Sequence, residues 1–375
     1  MGAISEAKVD ELLARVRREV DEGLSPGVSV AVARDGEVVV EAAFGEGVTP
    51  ASRFVAFSAT KALVAGAIWR LMDRGLVDIS APVATYLPAF GTNGKEAVTV
   101  EHVLTHTGGF PWAPLGPGRW ETREGRLEAF GRWRLTLEPG ENFVYHPTAG
   151  HWVLGEIVAE LTGMDHRDAI EELVTGPLGL PRVLGIPVDQ QADVIDAVGV
   201  GAPPTPEEME EAFGVKVDVA ALIPPDVALN ALLTLNDPEA RAVGVPGGGG
   251  VFRARDLAML YQGFLHDPQG LWSPEVLYEG TQHVRMVLPD IWGIPASRTL
   301  GLVVAGADGF AHQRGFGRAT SARAFGHNGA GGQLAFADPE SGLSVAYLTA
   351  GMDQHLIRQN RRDTAIASLA ASIAG

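Results

Sequence analysis

Ser58 and Lys61 stand three residues apart in the string Phe57-Ser58-Ala59-Thr60-Lys61-Ala62-Leu63-Val64. Three residues is close to one helical turn, so on a helix both side chains share a face. A serine hydroxyl is a useful nucleophile only when a neighbouring base takes its proton. A lysine amine serves as that base only where its surroundings keep it neutral. The unbroken apolar run from Ala62 to Trp69 supplies such surroundings. A Ser-x-x-Lys pair is a weak signal by itself, since most such pairs are a helix cap and a solvated charge.

Two later segments add weight. Tyr145 lies in Phe143-Val144-Tyr145-His146-Pro147-Thr148. Its phenol is suited to relaying a proton if a nearby lysine cation lowers its pKa. The second segment is His327-Asn328-Gly329-Ala330-Gly331-Gly332-Gln333, which leads into an expected strand. Its glycines allow a substrate close to the backbone. Attack on an acyl carbonyl needs an oxyanion site. One donor is the N–H of Ser58 at a helix start, where N–H groups are unpaired and the dipole is positive. The N–H of Ala330 is the candidate second donor. Asn328 and Gly329 belong with it as substrate-binding positions, and His327 is expected to orient Tyr145 or the leaving group.

These residues need elements to hold them. Val9, Leu12, Leu13 and Val16 have helical spacing near the N-terminus. Val28 to Ala33 and Val38 to Phe44 are β-rich runs joined at Asp35-Gly36, a strong hairpin signal. The helix that opens near Ser58 should close at Gly75. The middle of the chain has helical segments, such as Trp152 to Leu161, linked by Pro- and Gly-rich stretches. Strand character returns at Leu300–Ala305, Ala322–Gly326, Gln333–Ala337 and Leu343–Thr349, and a last helix starts near Gln354. Neither strand group is large enough to stand alone. The expected fold class is therefore α+β, with one antiparallel sheet built from both chain ends and flanked by helices. Residues 1–80 and 245–375 would form this sheet domain, and 81–244 a mostly helical inserted lobe. A cleft between two lobes is where ligands tend to bind.

Composition narrows the function. The 375 residues carry a net charge of −17, which disfavours nucleic acid and anionic membranes as partners. No cysteine is present, so disulfides, thiolate chemistry and Cys-based zinc sites are excluded. The N-terminus lacks a secretory apolar core and no run reaches the length of a membrane span, so the expected location is the cytoplasm. His102 and His106 are spaced like helix-borne zinc ligands, but the Glu of H-E-x-x-H is missing, and no metal or cofactor is expected. Gly247 to Gly250 is followed by no Gly-Lys-Ser/Thr, which argues against a phosphate loop. No G-x-S-x-G elbow surrounds Ser58, which argues against an α/β-hydrolase.

Taken in order, the three elements resemble the serine β-lactamase and penicillin-binding-protein superfamily, in particular its class C-like branch with the family VIII carboxylesterases. That family carries S-x-x-K on a central helix, Y-x-N in a helical lobe, and K-T-G or H-x-G at the sheet edge. Here the motifs read Ser58-Ala59-Thr60-Lys61, Tyr145-His146-Pro147 and His327-Asn328-Gly329. Leu104-Thr105-His106-Thr107-Gly108-Gly109 is similar to the family's L-x-H-T-S-G stretch, and the run from Gly75 to Pro88 and the glycines 247–250 also match. The resemblance spans roughly residues 10 to 370 and implies a β-lactamase-like fold and serine acyl-enzyme chemistry. Two departures bear on substrate. Pro147 replaces an Asn that usually hydrogen-bonds an acyl amide, and His327 replaces a lysine that helps hold a substrate carboxylate. Both losses suit neutral esters, and Trp112, Trp120, Trp133 and Trp152 are candidates to line an apolar acyl pocket. The expectation is a carboxylesterase for small-molecule esters of short or medium acyl groups. In it Ser58 is the nucleophile, and Lys61 and Tyr145 form a base system whose order of action stays open. The alternatives are a β-lactamase, a D-amino peptidase or an acyltransferase on the same site, or a non-catalytic binding scaffold.

Overall fold

The computed structural model describes residues 2–374 apart from 224–227. Eleven strands form three sheets among the described residues. They are β1 (Gly27–Arg34), β2 (Glu37–Gly45), β3 (Arg53–Val55), β4 (Val194–Ile195), β5 (Val198–Val200), β6 (Val251–Phe252), β7 (Val303–Val304), β8 (Phe325–Gly326), β9 (Leu334–Asp338), β10 (Leu343–Thr349) and β11 (Gly351–Asp353). The main sheet runs β2-β1-β10-β9-β8-β7 and is antiparallel throughout, so it joins residues 27–45 to residues 303–349. Two small sheets, β4-β3-β6 and β11-β5, tie the rest of the chain to it.

The hairpin of β1 and β2 turns at Asp35 and Gly36, both at positive φ (53° and 79°). That is the geometry of a primed two-residue turn, which matches the right-handed twist of the strands. Side chains alternate along the buried strands. Val28, Val30, Val32, Leu334, Phe336, Val345 and Tyr347 face helix α1 (Glu6–Asp21) and the C-terminal helix Leu356–Ala371. Ala31, Ala33, Ala335, Ala337 and Ala346 face the other way, toward the main core. Their small side chains let the helix Ala254–His266 lie close to the sheet.

Beyond that helix lies α2 (Lys61–Asp73), buried along its whole length from Lys61 to Trp69. A helix apolar on every face is a core helix. Its polar edges are satisfied by tryptophans that bridge elements. Trp69 Nε1 donates to Leu300 O at 2.9 Å, and Trp272 Nε1 donates to Gly66 O at 3.0 Å. Gly75, at φ 68°, ends α2, with its N–H on Met72 O and that of Leu76 on Leu71 O. The helical lobe contributes α3 (Val100–Leu104), α4 (Arg123–Arg132) and α5 (Ala149–Thr162).

Two strands are shorter than their apolar runs suggest. Leu300–Ala305 contributes only Val303–Val304, because residues 299–302 form a tight turn with Thr299 N–H on Leu302 O at 3.0 Å. Leu300 and Leu302 are buried against α2 by that turn, so their apolarity reflects packing and not a ladder. Ala322–Gly326 contributes Phe325–Gly326. No helix among the described residues is long and apolar enough to cross a membrane.

One buried ion pair anchors α5, whose N-terminus abuts the Tyr145 segment. Glu156 is fully buried and accepts from Arg126 Nε at 2.5 Å and Arg123 Nε at 3.1 Å. Removing one partner of a buried pair strands the other charge. Glu156→Gln is therefore expected to lower unfolding free energy by about 3 kcal/mol or more in urea titration. A change below about 1 kcal/mol would show that the pair contributes no net stability.

Candidate active site

Ser58 lies on a 3-10 turn, Phe57–Thr60, that runs directly into α2. The turn begins with Phe57 at φ 44°, a left-handed conformation that costs a non-glycine residue about 1–3 kcal/mol. Glycine backbone holds this corner in place. Ala56 N–H donates to Gly250 O at 2.8 Å, and Gly250 N–H donates to Thr60 Oγ1 at 2.9 Å. The glycine stretch is thus a clamp on the nucleophile turn.

Lys61 is wholly buried, and its Nζ has three neighbours. Pro147 O and Gly247 O accept from it at 2.6 Å each, and Ser58 Oγ lies at 3.2 Å. Burial holds the amine well below the usual lysine range, and the nearby charge of Arg298 pushes the same way. The two carbonyls pull in the opposite direction, since they also suit an ammonium. A neutral amine still satisfies both with its two N–H bonds and leaves its lone pair for the Ser58 hydroxyl. Gly247 fits closely here, since a Cβ would lie 3.0 Å from Pro147 O and 3.1 Å from Thr148 Cα and the neighbours would have to give by a few tenths of an ångström.

Tyr145 brings its ring to the cleft, with Lys61 Nζ 5.1 Å from the ring centroid. Its hydroxyl is shielded from solvent and makes no well-formed hydrogen bond, although it is near enough to Ser58 to be influenced by it. Burial pushes the phenol up to about 12, against weaker opposing effects of Arg298 and Ser58. The sequence argument expected a lysine to lower this pKa. A neutral Lys61 does not, and desolvation prevails.

The Leu104–Gly109 loop is the scaffold for Tyr145. His106, at φ 61°, accepts from His146 N–H on Nδ1 at 3.1 Å, and its carbonyl accepts from Val144 N–H at 3.2 Å. The rings of His106 and Tyr145 are 4.6 Å apart. His146 in turn contacts Val144 O through Nδ1 (2.7 Å) and accepts from Phe110 N–H on Nε2 (3.2 Å). These bonds fix the backbone on both sides of Tyr145.

His327 to Gly332 forms the tip of the β8–β9 connection, not an edge strand. His327 is buried, with its N–H on Tyr261 Oη at 3.0 Å and its Nδ1 2.9 Å from Asn328 O. Burial and the charges of Arg298 and Lys61 hold its imidazole well below its ordinary pKa, so it is neutral. Its ring centroid is 5.9 Å from that of Tyr145. The Asn328 side chain is already committed, donating to Gly315 O at 2.8 Å and accepting from Ala335 N–H at 3.1 Å. It therefore shapes the tip, with one of the two Nδ2–H donors engaged by Gly315 O. Gly329 sits so close to Ala56 O that a Cβ would be 2.2 Å from it. Arg362 supports the tip from the C-terminal helix by donating to Gly331 O at 2.9 Å.

Ser58, Tyr145, Pro147, His327, Asn328 and Ala330 line one cavity of about 630 Å³. Trp112 and Trp120 line it too, whereas Trp133 and Trp152 belong to the core. Trp133 packs on Phe110 and Phe130, and Trp152 lies against His166 and Arg126. Apart from the His327 imidazole, no Asp, Glu, Lys or Arg side chain lines the cavity among the described residues, and Lys61 sits behind the Ser58 wall. His106 and His151 add orphaned ring nitrogens to this buried region. No group of three or more His, Asp or Glu side chains is arranged to hold a metal among the described residues. Sequence reasoning missed Arg298 and His151, since neither falls in a motif or a periodic run.

Comparison with known proteins bears on the family and the fold. The Beta-lactamase family model matches residues 12–369. The esterase/beta-lactamase LipL of Mycobacterium tuberculosis is 30% identical over 365 residues, covering 85% of this chain and 76% of LipL. A penicillin-binding protein homologue from Caulobacter crescentus superposes with a TM-score of 0.78 at 26% identity, covering 100% of this chain and 99% of that one. A family VIII carboxylesterase superposes with a TM-score of 0.77 at 23% identity over 98% and 99% of the two chains, a likeness of fold. With the matched model running from α1 to the C-terminal helix, this chain belongs to the beta-lactamase family.

Proposed function

We propose that the chain is a serine hydrolase that cleaves carboxylic esters of short or medium acyl groups through an acyl-enzyme on Ser58. The observation that carries this reading is the juxtaposition of a buried amine, which burial holds well below the usual lysine range, 3.2 Å from Ser58 Oγ with a cavity that no Asp, Glu, Lys or Arg side chain lines among the described residues. The esterase half of the LipL name supports the same substrate class.

The charge state of the resting site suggests an order of events. Ser58 Oγ attacks the ester carbonyl carbon while its proton passes to the Lys61 lone pair. Negative charge builds on the carbonyl oxygen, and the N–H groups of Ser58 and Ala330 receive it. The tetrahedral intermediate collapses, the C–O bond to the alcohol breaks, and Tyr145 protonates the leaving oxygen. The ammonium of Lys61 then returns a proton to Tyr145. Water repeats the sequence on the acyl-enzyme, releasing the acid and restoring Ser58. Lys61 is the first base in this scheme because burial leaves it neutral and leaves Tyr145 protonated.

Specificity follows from the lining. Trp112, Leu115, Trp120, Leu232, Leu235 and Val245 present apolar surface. Pro147 offers no side-chain amide, and the neutral His327 offers no fixed charge for a carboxylate. An anionic amide such as a β-lactam finds neither anchor, although the LipL name also carries that activity.

Replacement of Ser58 by Ala is expected to lower kcat on p-nitrophenyl butyrate by at least about 10³-fold. Undiminished turnover would overturn the mechanism, as would failure of a fluorophosphonate to label Ser58 in the unmodified protein. Tyr145→Phe should cost about 10²–10⁴-fold in kcat, measured on esters with poor leaving alcohols where protonation matters most. Cephalosporin kcat/KM should fall far below that for the ester, and comparable values would refute the reading of Pro147 and His327. The pH profile carries a sign. Lys61 must be neutral to act, and its pKa lies well below the ordinary lysine value. The acid limb of kcat/KM should therefore rise through that depressed value, and a limb near pH 10 would contradict it.

A further inference from the structure

Five arginines are buried among the described residues, namely Arg34, Arg126, Arg241, Arg298 and Arg362. Four of them pair with a carboxylate. Arg34 meets Asp35, Arg126 meets Glu156, Arg241 meets Asp196, and Arg362 meets Glu19 and Asp363. Arg298 has no carboxylate partner among the described residues, and its Nε and Nη1 have no hydrogen-bond acceptor. An unpaired buried cation is costly, so its presence calls for an explanation.

Its backbone is placed with care. The preceding Ser297 is in the left-handed region at φ 50°, and Arg298 is clamped by bridges to Met286 and Val303. This directs the guanidinium inward, where its Cζ lies 5.5 Å from the ring centroids of both Phe143 and Tyr145. Those two π faces are the attractive partners it has. The titratable groups around it come from every element packed there. They are Lys61 of α2, His106 and Tyr145 of the helical-lobe loops, His151 of α5 and His327 of the hairpin tip. The three histidines are buried and held well below their ordinary pKa, so His327 of the tip and His151 of α5 bring no charge to Arg298. Arg298 itself is lowered only to about 10 and stays a cation at neutral pH.

We propose that Arg298 is a positioning residue for the acyl chemistry. It is the fixed cation that keeps the Lys61 amine free of a proton and that offsets the negative charge left on Tyr145 when the phenol protonates the leaving alcohol. Both effects have one sign. A positive charge disfavours a second one on Lys61 and favours an anion on Tyr145. Because Arg298 does not itself line the cavity and lies behind Tyr145, it acts through these two groups and not on the substrate. The unpaired burial is then a loss of stability retained for activity.

This inference rests on the ester-hydrolase reading, and its test is separable from it. Ser58→Ala probes the reading alone, whereas the Arg298 variants probe the electrostatics in an enzyme that still turns over. Arg298→Met removes the charge and keeps an unbranched side chain against Phe143 and Tyr145. It is expected to shift the acid limb of kcat/KM upward by about one to two pH units and to lower kcat/KM at pH 7 about 10- to 100-fold. KM should change little, and much of the rate should return above the shifted limb. Thermal stability should hold or rise, since an uncompensated charge has been removed. Arg298→Lys should keep the wild-type limb to within about half a unit, because the charge is retained. Arg298→Gln serves as the neutral variant if Arg298→Met does not fold. A neutral variant whose limb stays within about a third of a unit of wild type would overturn the proposal. So would equal, pH-independent losses in the Met and Lys variants accompanied by a lowered melting temperature, which would mark a structural role.

Discussion

An amine carried into a protein core has two ways to exist there, as a neutral base or as a cation fully wrapped in acceptors. Lys61 meets two backbone carbonyls and one hydroxyl, and the count of donors and acceptors closes for the neutral form only if the hydroxyl donates a hydrogen bond to the lone pair. The rest of the site depends on this balance. The carbonyls of Pro147 and Gly247 come from the helical lobe and from the glycine clamp respectively, so the amine stitches three distant chain segments into one corner. Shifting any of them by about an ångström would separate the Lys61 amine from the Ser58 hydroxyl.

Holding that corner costs conformational energy. Phe57, His106 and Ser297 are non-glycine residues at positive φ, and each borders a functional side chain. Such strain persists only where surrounding structure over-determines it. Here the surroundings are the buried α2, the Gly250–Thr60 clamp, the His106–His146 bonds, and the bridges that hold Arg298. The large, dry core around α2 offsets the strain. It also creates the low-polarity medium in which Lys61 stays neutral, so stability and chemistry draw on the same burial.

The cleft acquires its largely apolar lining by the same logic. The charged groups nearest the reaction centre, Lys61 and Arg298, sit behind its wall and not on it. Arg298 lowers the proton affinities of Lys61 and Tyr145 without itself lining the cavity. The hairpin tip contributes backbone and a neutral imidazole, with Gly329 pressed on Ala56 and Asn328 spent on holding the loop.

Much of the fold was legible in the linear chain. The Asp35-Gly36 hairpin, the buried helix from Lys61 to Gly75 and the strand at Leu343–Thr349 follow from periodicity and turn chemistry, which are local properties. That Ser58, Lys61, Tyr145 and His327 belong to one candidate site was suggested by their types and order, and the folded chain brings them together at one cavity. Leu300 and Leu302 misled, since an apolar turn pressed on α2 and an apolar strand have the same composition. Arg298 carried no signal at all. An arginine in a sequence is by default a solvated surface charge, and only the folded chain reveals one without a carboxylate, stacked on Tyr145. The sequence by itself determined which groups were available for acyl chemistry. Tertiary structure decided their protonation, because pKa values are set by desolvation and by charges that neighbour one another only after distant segments have packed.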